Sequence, residues 1–338
     1  LKLNKSDPAA AFKPHFRERF PWIGGDLQTL RNWLLSPVKD LDLKTRLFLK
    51  MRDGDTLTAR LDEPATSTGR PLIVLIHGLT GSERSVNIVG SAHFLVQQGW
   101  RVLRLNLRGS APTRPGARGH YHAGKTEDLV DALRNIPAEL SREGIILIGH
   151  SLGGNLILKF LGEEHDDMNV LCGVAVSSPL SLSSTCTQMM RMRNVFYQRY
   201  ILNAMKQEAL AKDAKLTDSQ KFAIISSRTL YDFDNNFIAP KFGYRDALHY
   251  YAMNSCENFL EKITLPTLII HALDDPWISP ESYLEKDWKK FPAIKTAISH
   301  KGGHLGFHGQ GHTASWHNLV LNDWLKNQFF VQTVACDN

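Results

Sequence analysis

Between Ile145 and Phe160 the chain reads IILIGHSLGGNLILKF, and no other stretch limits its fold so tightly. Ile145 to Ile148 are β-branched or leucine, the composition of a strand buried on both faces of a sheet. Leu152, Leu156, Lys159 and Phe160 then follow at helical spacing. The chain must therefore turn sharply from strand to helix at Ser151. A turn that tight is strained at its centre, and its neighbours must lack side chains where backbones crowd together, which is where Gly149 and Gly153 stand. A purely structural turn could carry serine by chance. The strand–turn–helix setting favours a nucleophile elbow, which lifts Oγ above the sheet and aims the helix N-terminus at a reacting carbonyl. Such a site needs partners further along, first an acid and then a histidine.

The rest of the sequence supplies a frame for that turn. KTRLFLKMRDGDTLTARLDEP reads as a hairpin with Asp53-Gly54-Asp55 at its tip. Apolar strands are expected at LIVLIHG, WRVLRLNLRG, IILIGH, VLCGVAVSSP, LPTLIIHALDDPW and IKTAIS, with helices over about 84–98, 126–140, 280–290 and 314–328. Strands alternating with helices of this length imply a mostly parallel sheet covered on both faces. The rhythm breaks after Pro179: residues 180–258 have helical composition and no convincing buried strand. Their Met and aromatic residues fall on more than one helical face, the pattern expected of a lid whose second apolar surface lines a pocket.

Serine at its free pKa is a poor nucleophile, so a base must take its proton and an acid must hold the base. Asp274 and Asp275 stand where a late strand ends, and catalytic groups gather at the C-terminal ends of parallel strands. Neighbouring side chains diverge, so only one can face the histidine. Asp275, one step further out and directly before Pro276, is favoured, with Asp274 as the alternative. ISHKGGHLGFHGQGH offers His300, His304, His308 and His312. Their spacing would suit a metal on a helix, but five glycines oppose a helix here and no carboxylate or cysteine joins the set, so no metal is expected. The glycines before His304 suit a loop that brings its ring to Ser151. The oxyanion of a tetrahedral intermediate needs N–H donors, expected from the backbones of Leu152 and Leu79, with Gly78 allowing close approach and His77 a structural ring.

Composition removes other classes. With 43% hydrophobic and 22% charged residues the chain is not disordered, and no run approaches the twenty apolar residues of a membrane span. The stretch LKLNKSDPAAAFKPHF lacks the apolar core of a signal peptide, so a cytoplasmic protein is expected. Cys172, Cys186, Cys256 and Cys336 show no paired spacing and read as structural thiols of a reducing compartment. The net charge of +6 is spread without a dense basic run, which argues against nucleic acid and leaves room for a weak attraction to anionic lipid. No cofactor is implied, and oligomeric state is not legible.

Taken as a set, IHGLTGS, YHAGKTEDL, GHSLGGN, HALDDPW and GGHLGF, with FYQRYILNAMK and LYDFDNNFIAPKFGYRDALHYY, resemble the YheT-like family of α/β-hydrolases over about residues 12–328. The resemblance implies the α/β-hydrolase fold, carboxylic-ester hydrolysis, and charge-relay roles for Ser151, Asp275 and His304. Ser110 stands after Arg108-Gly109 where some members have cysteine, and the N-terminal anchor of eukaryotic members is not expected from this sequence. The expected organisation is an N-terminal wrap over 1–43, core over 44–179, a helical lid over 180–258, and core again over 259–338. The expected reaction is cleavage of a small-molecule ester of short to medium acyl chain through an acyl-enzyme. Its rivals are a membrane-surface lipase or phospholipase of the same fold and a non-catalytic binding scaffold. Tyr121 and His122 lie in a family-like segment and either pack, while Thr126 and Asp128 start the next helix, or touch substrate. Asp232 and Asp234 read as anchors of a loop in the lid.

Overall fold

The computed structural model describes residues 16–35, 45–66, 69–163, 168–211 and 214–329. Eight strands form one sheet: β1 (Thr45–Lys50), β2 (Thr56–Asp62), β3 (Leu72–Ile76), β4 (Val102–Leu105), β5 (Ile145–His150), β6 (Val170–Val176), β7 (Thr267–Ala272) and β8 (Ile294–Ser299). Their order is β1-β2-β4-β3-β5-β6-β7-β8. β2 alone runs against its neighbours, and from β4 to β8 every pairing is parallel. This is the α/β-hydrolase architecture, with helices on both faces of a mostly parallel sheet.

The continuous apolar runs explain the layering. In β3, Leu72, Val74 and Ile76 pack with Leu129, Leu133, Leu156 and Phe160 on one face. Ile73 and Leu75 join Ala92, Leu95, Val320 and Leu321 on the other. Strands hidden on both sides have no polar alternation to show. β2 is fixed to β4 by a fully buried bidentate pair, with Arg104 Nε 2.6 Å and Nη2 2.9 Å from the Asp62 carboxylate. Arg108, just past β4, forks onto Asp128 at 2.8 and 2.7 Å and also pairs with Asp55 of the hairpin turn.

The helix expected over 126–140 forms as Thr126–Arg134 and a separate turn Ala138–Ser141. Pro137 lies between them; it has no N–H to give and pushes Ile136 away from helical geometry. The helix expected near 280–290 is likewise two short pieces, Glu281–Leu284 and Trp288–Lys290, because the Asp287 side chain takes the Lys289 N–H locally at 3.3 Å. Between β6 and β7 the described residues are helical, in Leu182–Met189, Val195–Ala209, Asp218–Ser226 and Ala247–Asn254, with a π turn at Asp234–Ile238. They share an apolar cluster that includes Met189, Ile201, Met205, Phe233 and Tyr250.

Near the N-terminus, Glu18 bridges Gly309, Arg19 N donates to the His308 carbonyl at 3.0 Å, and a helix follows at Gly25–Leu35. The remainder of the expected wrap, residues 1–15 and 36–43, lies outside the described residues, as does Cys336. Cys172, Cys186 and Cys256 are free and buried.

Burial of imidazoles gives the fold a pH limit. Desolvation holds His77 and His271 down to about 4, and His120, His122, His150 and His308 down to about 3. Unfolded, each returns to about 6.5. The native state then binds fewer protons than the unfolded state between these values, so stability is complete above pH 6.5 and falls as the pH drops toward 4. Each ring costs about 1.4 kcal/mol per pH unit in that window; Glu208 and Asp234, raised by burial to about 7, bind protons in the native state there and offset part of the six. Urea midpoints should be flat from pH 8 to 7 and collapse between 6.5 and 5, with several protons taken up on unfolding. A flat midpoint down to pH 5 would contradict buried neutral rings.

Candidate active site

β5 delivers the chain to Ser151, where φ is +53° and ψ −119°, outside the conformations a serine favours. The strain, of order 1–3 kcal/mol, is held by surrounding backbone: Ser151 N donates to the Val176 carbonyl at 2.8 Å, and Gly154 N returns to Ser151 O at 2.8 Å. A Cβ on Gly153 would stand 2.6 Å from the carbonyl oxygens of Ile76 and His77, and one on Gly149 only 2.2 Å from Gly153 O. The elbow therefore needs its glycines because helix and neighbouring strand touch there.

The loop after β8 brings His304 to the serine. Nε2 of His304 lies 3.0 Å from Ser151 Oγ, and Nδ1 lies 2.7 Å from Asp275 Oδ2. With Nδ1 donating to the carboxylate, Nε2 is left to accept the serine hydroxyl. Asp275 is fully buried, and its Oδ1 accepts N–H bonds from Trp277 at 2.8 Å and Ile278 at 3.3 Å, which fix the carboxylate plane. The indole of Trp277 stacks on the His304 ring at 4.1 Å. Asp274 turns the other way: its Oδ1 accepts from Gly303 N at 2.9 Å, and burial raises its carboxyl above the ordinary range.

His300 and His312 are exposed, and His308 Nδ1 sits 3.2 Å from Arg31 Nη1, so the four histidines of this stretch do not converge. Among the described residues no cluster of His, Cys, Asp or Glu could hold a metal.

Above Ser151 the loop after β3 passes very close. A Cβ on Gly78 would meet Ser151 Cβ at 3.0 Å, so only glycine lets the following N–H groups approach the nucleophile. His77 braces this loop as a neutral ring, donating from Nδ1 to the Gly78 carbonyl at 2.8 Å and accepting from Leu107 N at 3.0 Å. The N–H groups of Leu79 and Leu152 have no protein acceptor among the described residues.

Sequence reasoning missed the contribution of the N-terminal helix. Thr29 Oγ1 accepts the backbone N–H of His304 at 2.8 Å, and Gln28 Oε1 accepts that of His308 at 2.7 Å. No local signal marks these contacts, since the partners stand more than 270 positions apart. It also missed the place of Asp234 at the cavity. Asp232 does anchor a turn, accepting from Arg228 N and Thr229 N at 2.9 Å each, but Asp234 starts the π turn and lines the cavity beside Ser151, bonded to Tyr251 Oη at 2.7 Å.

Two cavities meet at Ser151. One, of about 130 Å³, is walled by apolar residues of 180–258, among them Leu182, Met189, Met205 and Phe233, together with Leu152 and Trp277. The other, of about 330 Å³, runs between Gly78–Ser85, the helix Gly25–Leu35, and Tyr197 and Tyr200.

Residues 71–310 match the family model for the alpha/beta hydrolase fold. "Putative esterase YheT" of Escherichia coli (strain K12) is 32% identical over 85% of this chain and 86% of its own length. A monoacylglycerol lipase of Saccharomyces cerevisiae is 26% identical, over 78% of this chain and 61% of its own. The esterase Pf2001 of Pyrococcus furiosus superposes with a TM-score of 0.57 at 18% identity, over 94% of this chain and 96% of that one, a likeness of fold.

Proposed function

The chain belongs to the α/β-hydrolase fold family, in its YheT-like branch, and from that membership and the geometry at Ser151 we propose a cofactor-independent serine hydrolase acting on carboxylic esters of short to medium acyl chain. One observation carries the reading: the unbroken relay from Ser151 Oγ through His304 to Asp275, at 3.0 and 2.7 Å. His304 Nε2 takes the proton as Oγ attacks the ester carbon. Leu79 and Leu152 give their N–H groups to the oxyanion, each worth on the order of 3 kcal/mol. The imidazolium, held by Asp275, then protonates the leaving alcohol, and water reverses the sequence on the acyl-enzyme.

In this reading the cavity of about 130 Å³ takes the acyl group, and residues 180–258 act as its lid. An apolar cavity of about 150 Å³ accepts a benzene-sized guest, so the pocket suits chains of modest length. The wider cavity would take the alcohol. Free buried cysteines suit a reducing compartment, and we place the enzyme in the cytoplasm.

A second reading, the membrane-surface lipase, is favoured by one feature. Trp33, Leu34 and Leu35 of the N-terminal helix and Met192, Phe196 and Tyr200 are exposed, and Trp33 and Tyr200 meet at 3.9 Å beside the wider cavity. An apolar rim around a site mouth is what an interfacial enzyme presents. The rate on p-nitrophenyl esters of graded length, followed through the critical micelle concentration with and without anionic vesicles, separates the two. The esterase gives a smooth saturating curve, best on short to medium chains. A sharp rise at the micelle threshold, larger with anionic lipid, would make the lipase the better reading.

A further inference from the structure

The loop that would supply the second oxyanion donor is held only in part by its own residues: His77 and a Gly81 N to Gly78 O bond at 3.1 Å fix its start. Thr80, next to Leu79, has φ +55°, a conformation that costs a β-branched residue energy and needs an outside brace. The brace comes from elsewhere in the chain: Thr80 N donates to the phenol oxygen of Tyr121 at 2.7 Å. The same phenol donates to Glu208 Oε2 at 3.1 Å. Tyr121 is buried beside the acyl cavity, its ring edge-on to His77 at 6.2 Å. Glu208 stands near the end of the helix Val195–Ala209, and no cation is in salt-bridge contact with its carboxylate among the described residues: Arg114 Nη2 binds its backbone oxygen instead, at 2.7 Å. A half-buried acid with no cation in direct contact is costly to keep, and Arg114 helps it only through space. Burial pushes this one up to about 7, and the Tyr121 hydroxyl and, more weakly, the Arg114 charge oppose the rise.

We propose that Tyr121 is a positioning residue of the oxyanion loop: its phenol holds Leu79 and Thr80 so that the Leu79 N–H points at the developing oxyanion, and Glu208 holds the phenol in turn. The hydroxyl accepts from one side and donates to the other, a chain in which each bond polarises the next. It joins the oxyanion loop to a helix of the 180–258 region, so displacement of that helix loosens the donor. This inference rests on the serine-hydrolase reading and assigns to that site a residue outside the Ser151, His304 and Asp275 relay.

The test uses the full-length protein and three variants: Tyr121→Phe, Glu208→Gln and the pair together. Displacing a donor by about 1 Å can cost on the order of 100-fold. Tyr121→Phe is therefore expected to lower kcat about 30- to 100-fold with KM changed less than about twofold. Inhibition by a trifluoromethyl ketone, which forms a tetrahedral adduct on the serine, should weaken by the same factor as kcat/KM. Glu208→Gln should lower kcat by about 3- to 10-fold, and the double variant should be no slower than Tyr121→Phe alone, because both act through one phenol. Should Tyr121→Phe prove too unstable to assay, the split between kcat and ketone affinity in Glu208→Gln decides the matter.

A rise in KM at constant kcat would make Tyr121 a pocket wall and overturn the proposal. So would an unchanged ketone affinity, or a Glu208→Gln effect of equal size with and without the phenol. A wild type that neither hydrolyses any ester nor reacts with a fluorophosphonate overturns the hydrolase reading and this one with it. A reactive wild type beside an unaffected Tyr121→Phe overturns this inference alone.

Discussion

Ser151→Ala is expected to lower kcat by ~10⁶-fold and to abolish covalent labelling by a fluorophosphonate probe. The size follows from what the side chain would do. In the proposed mechanism the contacts at 3.0 and 2.7 Å serve to activate one hydroxyl, and without Oγ neither His304 nor Asp275 has a proton to move. Loss of the nucleophile leaves the oxyanion donors and the pocket in place, and these alone support only a small residual rate over water. Fold stability should change little. The hydroxyl's removal leaves the backbone bonds to Val176 and Gly154 that hold the strained φ, and alanine takes the same conformation at similar cost. The measurement is mass-spectrometric mapping of the probe on wild type, with rates of both proteins on one ester. Hydrolysis above a few per cent in a clean Ser151→Ala preparation would sink the covalent mechanism.

Local physics wrote some of this molecule plainly and left other parts unmarked. The elbow was legible because three constraints coincide within the sixteen residues Ile145–Phe160: an apolar run buried on two faces, glycines where backbones touch, and helical spacing afterwards. The parallel sheet was legible for the same reason, since fully buried strands must be apolar throughout. The break at Pro137 was legible in principle, since proline has no N–H to give, yet the expected single helix over 126–140 passes through it and forms in two pieces. The N-terminal brace was not legible at all. Thr29 and Gln28 lie on an ordinary-looking helix, and their role depends on where the loop around His304 passes. Asp234 shows a related limit. Beside Asp232 it reads as part of a loop-anchoring set, and it does bond within the region, to Tyr251, but it also starts a π turn and lines the cavity. A turn of that kind is set by packing of the surrounding helices and has no reliable short-range signature.

The adjacent aspartates turn the geometry into a ranking. Asp275→Asn is expected to lower kcat by about 10⁴-fold, with KM little changed, because an amide facing Nδ1 lets the ring settle in the wrong tautomer. The carboxamide could also present its NH₂ to Nδ1, which places the ring proton on Nε2 and leaves Ser151 without a base. Asp275 has no slack to correct this: Oδ1 is already committed to the N–H groups of Trp277 and Ile278, so Oδ2 must be the atom that meets His304. Asp274→Asn should cost far less, within about tenfold. Its one bond, to Gly303 N at 2.9 Å, needs only an acceptor oxygen, which asparagine retains. Its second oxygen is buried without a partner among the described residues, and burial already disfavours its charge. Neutralising Asp274 thus relieves a desolvation cost while keeping the contact that sets the histidine loop. Both variants should bind substrate and unfold near the wild-type temperature, so the comparison reads catalysis and not collapse. If Asp274→Asn were instead the crippled enzyme and Asp275→Asn the active one, the relay would run through the wrong neighbour, and His304 would have to rotate about its own loop to reach it.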